Sequence, residues 1–228
     1  MLQALIAIAI ISITILLYLG MNRLYLKFSS PFLSPILTTV LVIIGILVLF
    51  HIPYNTYLIG GHWINYLLGP AVVALAYPLY NQRKILVKYL LPIVSGVSIG
   101  LVVGMMSGSL LAFLFGVNKD MILSLLPKSL TTPVAMEVSS ELGGIPAITV
   151  VLVVIAGFVG AVLGPLFIKW SRIHSDMGKG IALGSASHAL GTSKASEYGE
   201  LSFSMGSVSM ALTAILGAII GSIIPFFM

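Results

Sequence analysis

The chain of 228 residues contains no cysteine and few charged side chains, and both shortages restrict what it can be. Without cysteine it can form no disulfide framework, no iron–sulfur cluster and no thiolate zinc site. Only 7% of its residues are charged, whereas roughly a quarter are charged in a typical soluble domain. Water is therefore not its main solvent, and no soluble domain of any size fits into it.

Apolar residues make up 59% of the sequence. A helix needs roughly 20 apolar residues to cross about 30 Å of hydrocarbon. We therefore predict an all-α integral membrane protein that forms a single polytopic domain over residues 1–228, with about seven to eight membrane segments. Five runs are long enough for ordinary spans, and the first carries no cleavage signal. They are about 2–19, 33–50, 89–115, 147–170 and 203–227.

Three further segments are too short, too polar or too rich in small residues to be ordinary membrane spans. Residues 65–80 contain Pro70 and Pro78, residues 127–142 are rich in Ser and Thr, and residues 181–195 consist largely of Gly, Ala and Ser. As one helix, 127–142 would reach only roughly 24 Å at 1.5 Å per residue. These segments predict interrupted or re-entrant helices.

A weak internal repeat runs through the chain. Residues 35–44 align with 146–155, and residues 69–75 with 184–190, which divides the chain into repeats at about 1–116 and 117–228. Lys and Arg collect after the first run, at 83–88 and at 169–179, as expected of cytoplasmic loops. If 127–142 is not a full span, corresponding loops of the two halves lie on opposite faces, which is the pattern of an inverted-topology repeat.

Inverted repeats with interrupted helices place substrate near the midplane in secondary transporters. A helix that begins inside the membrane exposes unpaired N–H groups and about half a positive charge, so it attracts an anion. In 127–142 the expected substrate-binding residues are Lys128, Ser129, Thr131 and Thr132. The alternative is that Lys128 extends to the membrane interface while the hydroxyls satisfy backbone groups.

The segment 181–195 supplies the other expected contacts, Ser187, His188 and Thr192. A helix-packing segment with a hydrogen-bonded His188 is the alternative interpretation. Glu137 and His188 are the candidates for proton or ion coupling, because ionisable groups at membrane depth often serve as relays. His51, His62 and His174 are interpreted as interfacial, and Trp63 with the tyrosines at 54, 57 and 66 as an interface belt.

Other classes of function find little support in the sequence. It has no Gly-x-Ser-x-Gly elbow, no phosphate-binding loop and no metal-ligand spacing, so we expect neither an enzyme, a cofactor nor a bound metal. The Lys and Arg residues are scattered between apolar runs instead of forming a stripe, which argues against nucleic acid as a partner.

The two polar segments resemble the hallmark motifs of the LrgB/CidB family. The resemblance rests on Pro127-Lys-Ser-Leu-Thr-Thr-Pro-Val-Ala-Met-Glu-Val-Ser and Gly184-Ser-Ala-Ser-His-Ala-Leu-Gly-Thr, and continues through Glu141-Leu-Gly-Gly-Ile-Pro-Ala. It is looser in the first half, at Gly61-His-Trp-Ile-Asn65 and Ala76-Tyr-Pro-Leu-Tyr80.

This resemblance implies two functions. Bacterial members are antiholin-like or holin-like partners of a small LrgA/CidA-type membrane protein, linked to murein hydrolase control and cell lysis. Related proteins are implicated in pyruvate movement, and a plastid relative translocates glycolate and glycerate. We therefore expect a bacterial cytoplasmic-membrane carrier of small carboxylates, working by alternating access with such a partner and capable of forming a homo-oligomer. The alternative is an antiholin-like or holin-like protein that acts by assembly, and a pore is a third possibility.

Overall fold

The computed structural model describes residues 2–28, 33, 35–74 and 76–224, and those residues contain no β-strand. The all-α prediction is confirmed. Among the described residues, 3-10 turns at Leu126–Ser129 and Ser196–Tyr198 accompany the helices. The helices are α1 Leu2–Phe28, α2 Pro35–Leu49, α3 Tyr54–Tyr66, α4 Leu68–Ala74, α5 Ala76–Asn81, α6 Arg83–Lys88, α7 Leu90–Leu114, α8 Lys119–Leu125, α9 Thr132–Leu142, α10 Pro146–Trp170, α11 Asp176–Ala195 and α12 Glu200–Ile223.

Four of the described helices are long and apolar enough to cross a membrane, which supports a multi-pass membrane protein. They are α1, from Gln3, α7, α10 and α12, and they coincide with four of the five predicted spans. The fifth, α2, has 15 residues and reaches only roughly 22 Å at 1.5 Å per residue. Parts of the predictions for 33–50, 65–80 and 203–227 lie outside the described residues, at 34, 75 and 225–227. The count of seven to eight segments stays a prediction.

The helices form two compact units, Met1–Ala71 and Val72–Met228. In the first unit α1 packs against α2 and α3. The closest approach is at Gly60, where a Cβ would lie 2.6 Å from Ile10 Cβ. A glycine is therefore required for α3 to lie this close to α1.

Short helices follow one another where the sequence predicts an interrupted segment. After α3 ends at Tyr66, α4, α5 and α6 have seven, six and six residues. Proline at 70 and 78 is consistent with such short elements, because proline lacks the N–H that a continuing helix needs.

In the second unit, α11 and α12 pack most closely, with α7 and α10 also against α11. Gly180 and Gly184 of α11 lie against backbone atoms of Ser202 and Gly206 in α12. The absence of side chains at these positions allows the two backbones to approach, as in other membrane helix pairs. A cluster of buried apolar side chains joins α7, α8, α9 and α10, and it includes Leu101, Met105, Leu130 and Val153.

A buried hydrogen-bond network joins α9, in the segment 127–142, to α8 and α10 on either side of it in sequence. Thr149 Oγ1 of α10 lies 2.7 Å from Ser139 Oγ of α9 and 3.0 Å from the carbonyl oxygen of Ser124 in α8. The Ile145 N–H donates to Ser124 Oγ at 2.7 Å. All three hydroxyl side chains are fully buried, so each needs such a partner to offset the loss of water.

The predicted repeat has one local parallel in the structure. Pro35 begins α2 and Pro146 begins α10, as expected of a residue favoured in the first helical turn. The division into two compact units does not address repeat symmetry. The inverted repeat, with halves 1–116 and 117–228, therefore stays a prediction.

Candidate functional site

The backbone leaves the α-helix twice within the first polar segment. After α8 the chain forms the 3-10 turn with Pro127, then extends through Leu130 (ψ 167°) and Thr131 (ψ 144°) before α9 begins at Thr132. Pro133 is tolerated in the first turn of α9, where an N–H would be unpaired in any case. Thr131 is the N-cap residue, but its side chain makes no capping hydrogen bond.

The second polar segment breaks inside α11. Ser187 (φ −136°, ψ 16°) and His188 (φ 40°, ψ −127°) depart from helical geometry and divide the helix. A positive φ is unfavourable for a residue with a Cβ and persists only where the surrounding structure holds it. The interruption therefore falls on two of the residues that the sequence predicts to bind substrate.

The two breaks lie against each other. The 3-10 turn contacts α11. Backbone groups of Lys128 and Val153 lie near the His188 imidazole and interact with it electrostatically. Residues about sixty positions apart in sequence thus form one site, with α7 on one side and α10 on another.

On the α7 side, a row of glycines makes room for the polar segments. The Lys128 ammonium donates a hydrogen bond to the Gly104 carbonyl. A Cβ at Gly108 would lie 2.8 Å from Lys128 Nζ, and one at Gly104 would lie 2.9 Å from Ser129 Oγ. Gly100 occupies the same face, 3.6 Å from Ser185 Oγ by the same measure. Larger residues on this face would displace Lys128 and Ser129.

On the α10 side, Gly157 and Gly160 receive the break in α11. A Cβ at Gly157 would lie 2.5 Å from His188 Cε1, and one at Gly160 would overlap the Ser187 hydroxyl. Next to them a cavity of about 250 Å³ lies between α10 and α11, and the polar side chains that line it among the described residues are Ser171 and Ser187. The cavity thus reaches the helix break itself.

Three buried polar atoms in these breaks have no hydrogen-bond partner among the described residues: Thr131 Oγ1, Ser187 Oγ and His188 Nε2. Ser187 is 1% exposed and His188 is 6% exposed. Leaving a buried polar group unpaired costs about 1–3 kcal/mol. Three such groups concentrated at two helix breaks indicate a place where a polar ligand completes the hydrogen bonding.

The charge of the site favours an anion. Within the described part of the chain, no carboxylate forms an ion pair with Lys128; the two salt bridges there join Lys179 to Asp176 and Lys194 to Glu197. An ammonium group and two hydroxyls can each donate a hydrogen bond, as can an imidazole nitrogen that carries hydrogen. A small carboxylate matches this set of donors.

The remaining predicted residues occupy more varied positions. Ser129 is buried beside Gly104, and Thr132 is partly buried at the start of α9. Thr192 is buried, but its hydroxyl points to Met210 Sδ of α12 at 3.9 Å. Glu137 is exposed on α9. The roles of all these residues in binding or coupling stay predictions.

Sequence reasoning missed the glycines that shape the site. In α7, Gly96, Gly100, Gly104 and Gly108 recur every fourth residue, a spacing that places them on one helix face. This four-residue spacing of glycine is the feature of the sequence from which a small-residue face on α7 could have been predicted. The structure also holds no cluster of three metal-ligating side chains among the residues it describes.

Comparison with known proteins extends the resemblance to nearly the whole chain. Residues 14–227 match the model of the LrgB-like family. The chain is 60% identical over 222 residues to the uncharacterized protein YxaC of Bacillus subtilis, covering 97% of this chain and 96% of that protein. It is 40% identical over 214 residues to the holin-like protein CidB of Staphylococcus aureus, covering 94% and 93%. No solved structure matches it.

Proposed function

Since the chain belongs to the LrgB-like family of membrane proteins, we propose that it is a carrier of small carboxylates that works by alternating access. The observation that carries this proposal is the set of unpartnered buried atoms, Thr131 Oγ1, Ser187 Oγ and His188 Nε2, at two helix breaks. A protein that acted only by assembly has no need to bury unpaired polar groups beside a lysine. A bound carboxylate would satisfy them and balance the charge of Lys128.

Alternating access follows from the way the site is enclosed. The two broken segments lie among α7, α10 and α12, and glycines of α7 and α10 lie directly against Lys128, Ser129, Ser187 and His188. In the proposed cycle the broken segments shift relative to these helices and open the site to one side of the membrane at a time. The predicted inverted repeat and the count of seven to eight segments belong to this proposal.

Coupling and partnership are further parts of the proposal. His188 lies in the site and Glu137 lies exposed on α9, and we assign proton or ion coupling to these two residues. An LrgA/CidA-type small membrane protein is the proposed partner, and the chain is assigned no enzymatic activity.

A second candidate function is holin-like assembly with that partner, affecting murein hydrolases and cell lysis. The observation in its favour is the name of a relative: the Staphylococcus aureus protein at 40% identity is called holin-like. The comparisons support this candidate more directly than the carrier. It predicts that lesions in oligomer surfaces matter more than changes at Lys128 or His188.

Uptake into proteoliposomes separates the two candidates. Radiolabelled pyruvate and glycolate would be offered to vesicles containing the chain, with and without the partner and with and without a pH gradient. The variants are Lys128→Ala and His188→Ala, and Lys84→Ala is the matched control on the exposed surface. A carrier gives saturable uptake that both site variants abolish and the control retains.

Two other results would reject the carrier. A flux that rises without saturation, together with leakage of an unrelated trapped dye, would identify a pore or a holin-like lesion. Absence of any saturable uptake from folded protein with its partner would leave assembly as the function to pursue.

A further inference from the structure

The two arms of α11, residues 176–186 and 189–195, fold back against each other. A Cβ at Gly191 would meet the carbonyl oxygen of Leu183 in the first arm. Along an unbroken helix these two residues would be roughly 12 Å apart at 1.5 Å per residue. Ala195, at the end of the second arm, shares a buried apolar cluster with Leu183. The break in α11 is therefore the tip of a helical hairpin.

Contacts at the other end of the arms agree with this fold-back. A Cβ at Gly206 of α12 would lie 3.4 Å from the carbonyl oxygen of Gly180 in the first arm and 3.4 Å from Ala195 Cβ in the second. The Lys179 ammonium also lies 5.3 Å from the centre of the Tyr198 ring. The two ends of α11 thus lie together at one end of α12, and we call this element the α11 hairpin.

The chain from α8 to α9 forms another hairpin, with the 3-10 turn and Thr131 at its tip. α8 and α9 contact each other. A Cβ at Gly144, just beyond α9, would lie 2.7 Å from Ser139 Oγ of α9 and 2.8 Å from the backbone nitrogen of Ser124 in α8. The chain therefore returns to the level of α8 before α10 begins, and we call residues 119–142 the α8–α9 hairpin.

The bases of the two hairpins lie at opposite ends of α10. This helix begins at Pro146, just after the α8–α9 hairpin, and ends at Trp170, just before the α11 hairpin. It is long and apolar enough to cross a membrane. The contacts of α12 give the same arrangement, because Gly206 lies at the base of the α11 hairpin and Gly221, farther along, lies against Val138 of α9. The two bases therefore face opposite sides of the membrane.

The two tips meet near the middle of α10. A Cβ at Gly157 would lie 2.5 Å from His188 Cε1, and the Lys128 backbone of the other tip lies near the same imidazole. Among the unpartnered buried atoms, Thr131 Oγ1 belongs to the α8–α9 hairpin, whereas Ser187 Oγ and His188 Nε2 belong to the α11 hairpin. Each hairpin thus brings polar atoms to one site from a different end of α10.

We propose that both hairpins are re-entrant, that they enter the membrane from opposite faces, and that each closes the carboxylate site toward its own face. The α11 hairpin enters from the face that carries Lys169 and Arg172, which are exposed, and the α8–α9 hairpin enters from the other face. The faces of entry follow from contacts within the second unit, whereas the closing role rests on the proposed carrier function. Movement of one hairpin at a time would open the site to a single face, as alternating access requires.

Labelling of single-cysteine variants of the full chain with an impermeant maleimide, in oriented proteoliposomes, tests the faces of entry. Ser171→Cys and Ser196→Cys flank the α11 hairpin, and Lys119→Cys and Ile145→Cys flank the α8–α9 hairpin; all four positions are exposed. We expect the first pair to react from one face and the second pair from the other. Reaction of the two members of either pair from opposite faces would show that the segment between them crosses the membrane, which would overturn the proposal.

Disulfide crosslinks to α12 test the closing role. A Cβ at Gly221 would lie 3.3 Å from Val138 Cβ, and one at Gly206 would lie 3.4 Å from Ala195 Cβ, both near the mean of about 3.8 Å in disulfides. The pair Val138→Cys and Gly221→Cys ties the α8–α9 hairpin to α12, and the pair Ala195→Cys and Gly206→Cys ties the α11 hairpin. We expect oxidation of either pair to lower uptake of pyruvate or glycolate at least about tenfold. Reduction should restore uptake, and the four single-cysteine variants are the matched controls.

The outcomes separate the hairpins from the carrier. Full uptake by a completely crosslinked pair would overturn the closing role, because a hairpin tied to α12 would then not need to move. Labelling as expected, together with no uptake by the unaltered chain, would reject the carrier and the closing role but support entry of the hairpins from opposite faces. Failure of the hairpin topology instead appears in the labelling, which does not depend on transport.

Discussion

At the scale of single residues, His188 combines a strained backbone with a buried imidazole. Its φ of 40° and ψ of −127° belong to a region that glycine adopts readily, and holding another residue there costs of order 1–3 kcal/mol. Gly184 and Gly191 lie within four residues of it. Glycine would relieve this backbone, and under the proposed function the histidine is retained for its side chain.

Replacing His188 in two ways separates strain from function. His188→Gly relieves the backbone strain, whereas alanine retains the strained conformation. The free energy of unfolding of His188→Gly should therefore exceed that of His188→Ala by about 1–2 kcal/mol, and its unfolding temperature should be higher. Thermal unfolding in detergent measures this difference. Both variants lack the imidazole and should lose carboxylate uptake. Equal stability of the pair would show that the strain is absent.

The buried hydroxyl network yields a prediction about Thr149. Thr149→Val removes hydrogen bonds to Ser139 and Ser124 and should lower the free energy of unfolding by about 1–3 kcal/mol, because buried partners are left unpaired. Thr213→Val is the control. That threonine is also buried, but it bonds only to the Ser209 carbonyl within its own helix.

A near-neutral result for Thr213→Val and a large one for Thr149→Val are expected in thermal unfolding. If the two variants unfold alike, the network does not hold α8, α9 and α10 together.

Residue type and sequence position pointed to Lys128, Ser187 and His188, because polar residues amid small ones at membrane depth need a reason to be there. The exposure of Glu137 and the contact of Thr192 with Met210 could not be predicted in the same way. They depend on how the helices are rotated after the breaks, and this rotation is set by packing.

At the scale of secondary-structure elements, glycines determine how closely the helices approach. Gly184 of α11 lies against backbone atoms of Gly206 and against Ser209 of α12. By contrast Gly96 of α7 has nothing within 4 Å of a Cβ. The same substitution should therefore have opposite effects at the two positions.

Gly184→Ala should destabilise the second unit by about 1–3 kcal/mol, because the added methyl group meets backbone that cannot move aside. Gly96→Ala should be neutral or stabilise by up to about 1 kcal/mol through helix propensity. Thermal unfolding of both variants in one detergent checks the pair. A stable Gly184→Ala variant would mean that α11 and α12 are farther apart.

The length of the apolar runs in the sequence was sufficient to predict α1, α7, α10 and α12. Proline and small residues were sufficient to locate the interruptions in 65–80, 127–142 and 181–195. The position of the break at Ser187 and His188 was not predictable, since no proline marks it. It depends on the room that Gly157 and Gly160 leave on α10, a contact between residues distant in sequence.

At the scale of the whole molecule, the topology rests on where the basic residues lie. The absence of native cysteine allows each loop to be tested with one introduced thiol. Lys84→Cys and Ser171→Cys should react with an impermeant maleimide from the cytoplasmic side only, because Lys and Arg collect in these connections. His51→Cys should react only from the opposite side.

Labelling of Lys84→Cys and Ser171→Cys from opposite sides of the membrane would contradict the predicted inverted topology. Labelling from the same side requires an even number of crossings between them, which α7, α10 and a non-spanning 127–142 segment provide. Composition alone predicted a polytopic membrane protein, but the number of crossings depends on these short segments, whose hydrophobicity and length are intermediate.

The central claim is that the paired helix breaks bind a small carboxylate, and equilibrium binding of radiolabelled pyruvate and glycolate to the purified chain tests it most directly. The account predicts saturable binding of one of these acids, close to one molecule per chain, lost in Lys128→Ala and His188→Ala and retained in Lys84→Ala. Folded protein that binds neither acid, or binding that the two site variants leave unchanged, would contradict it.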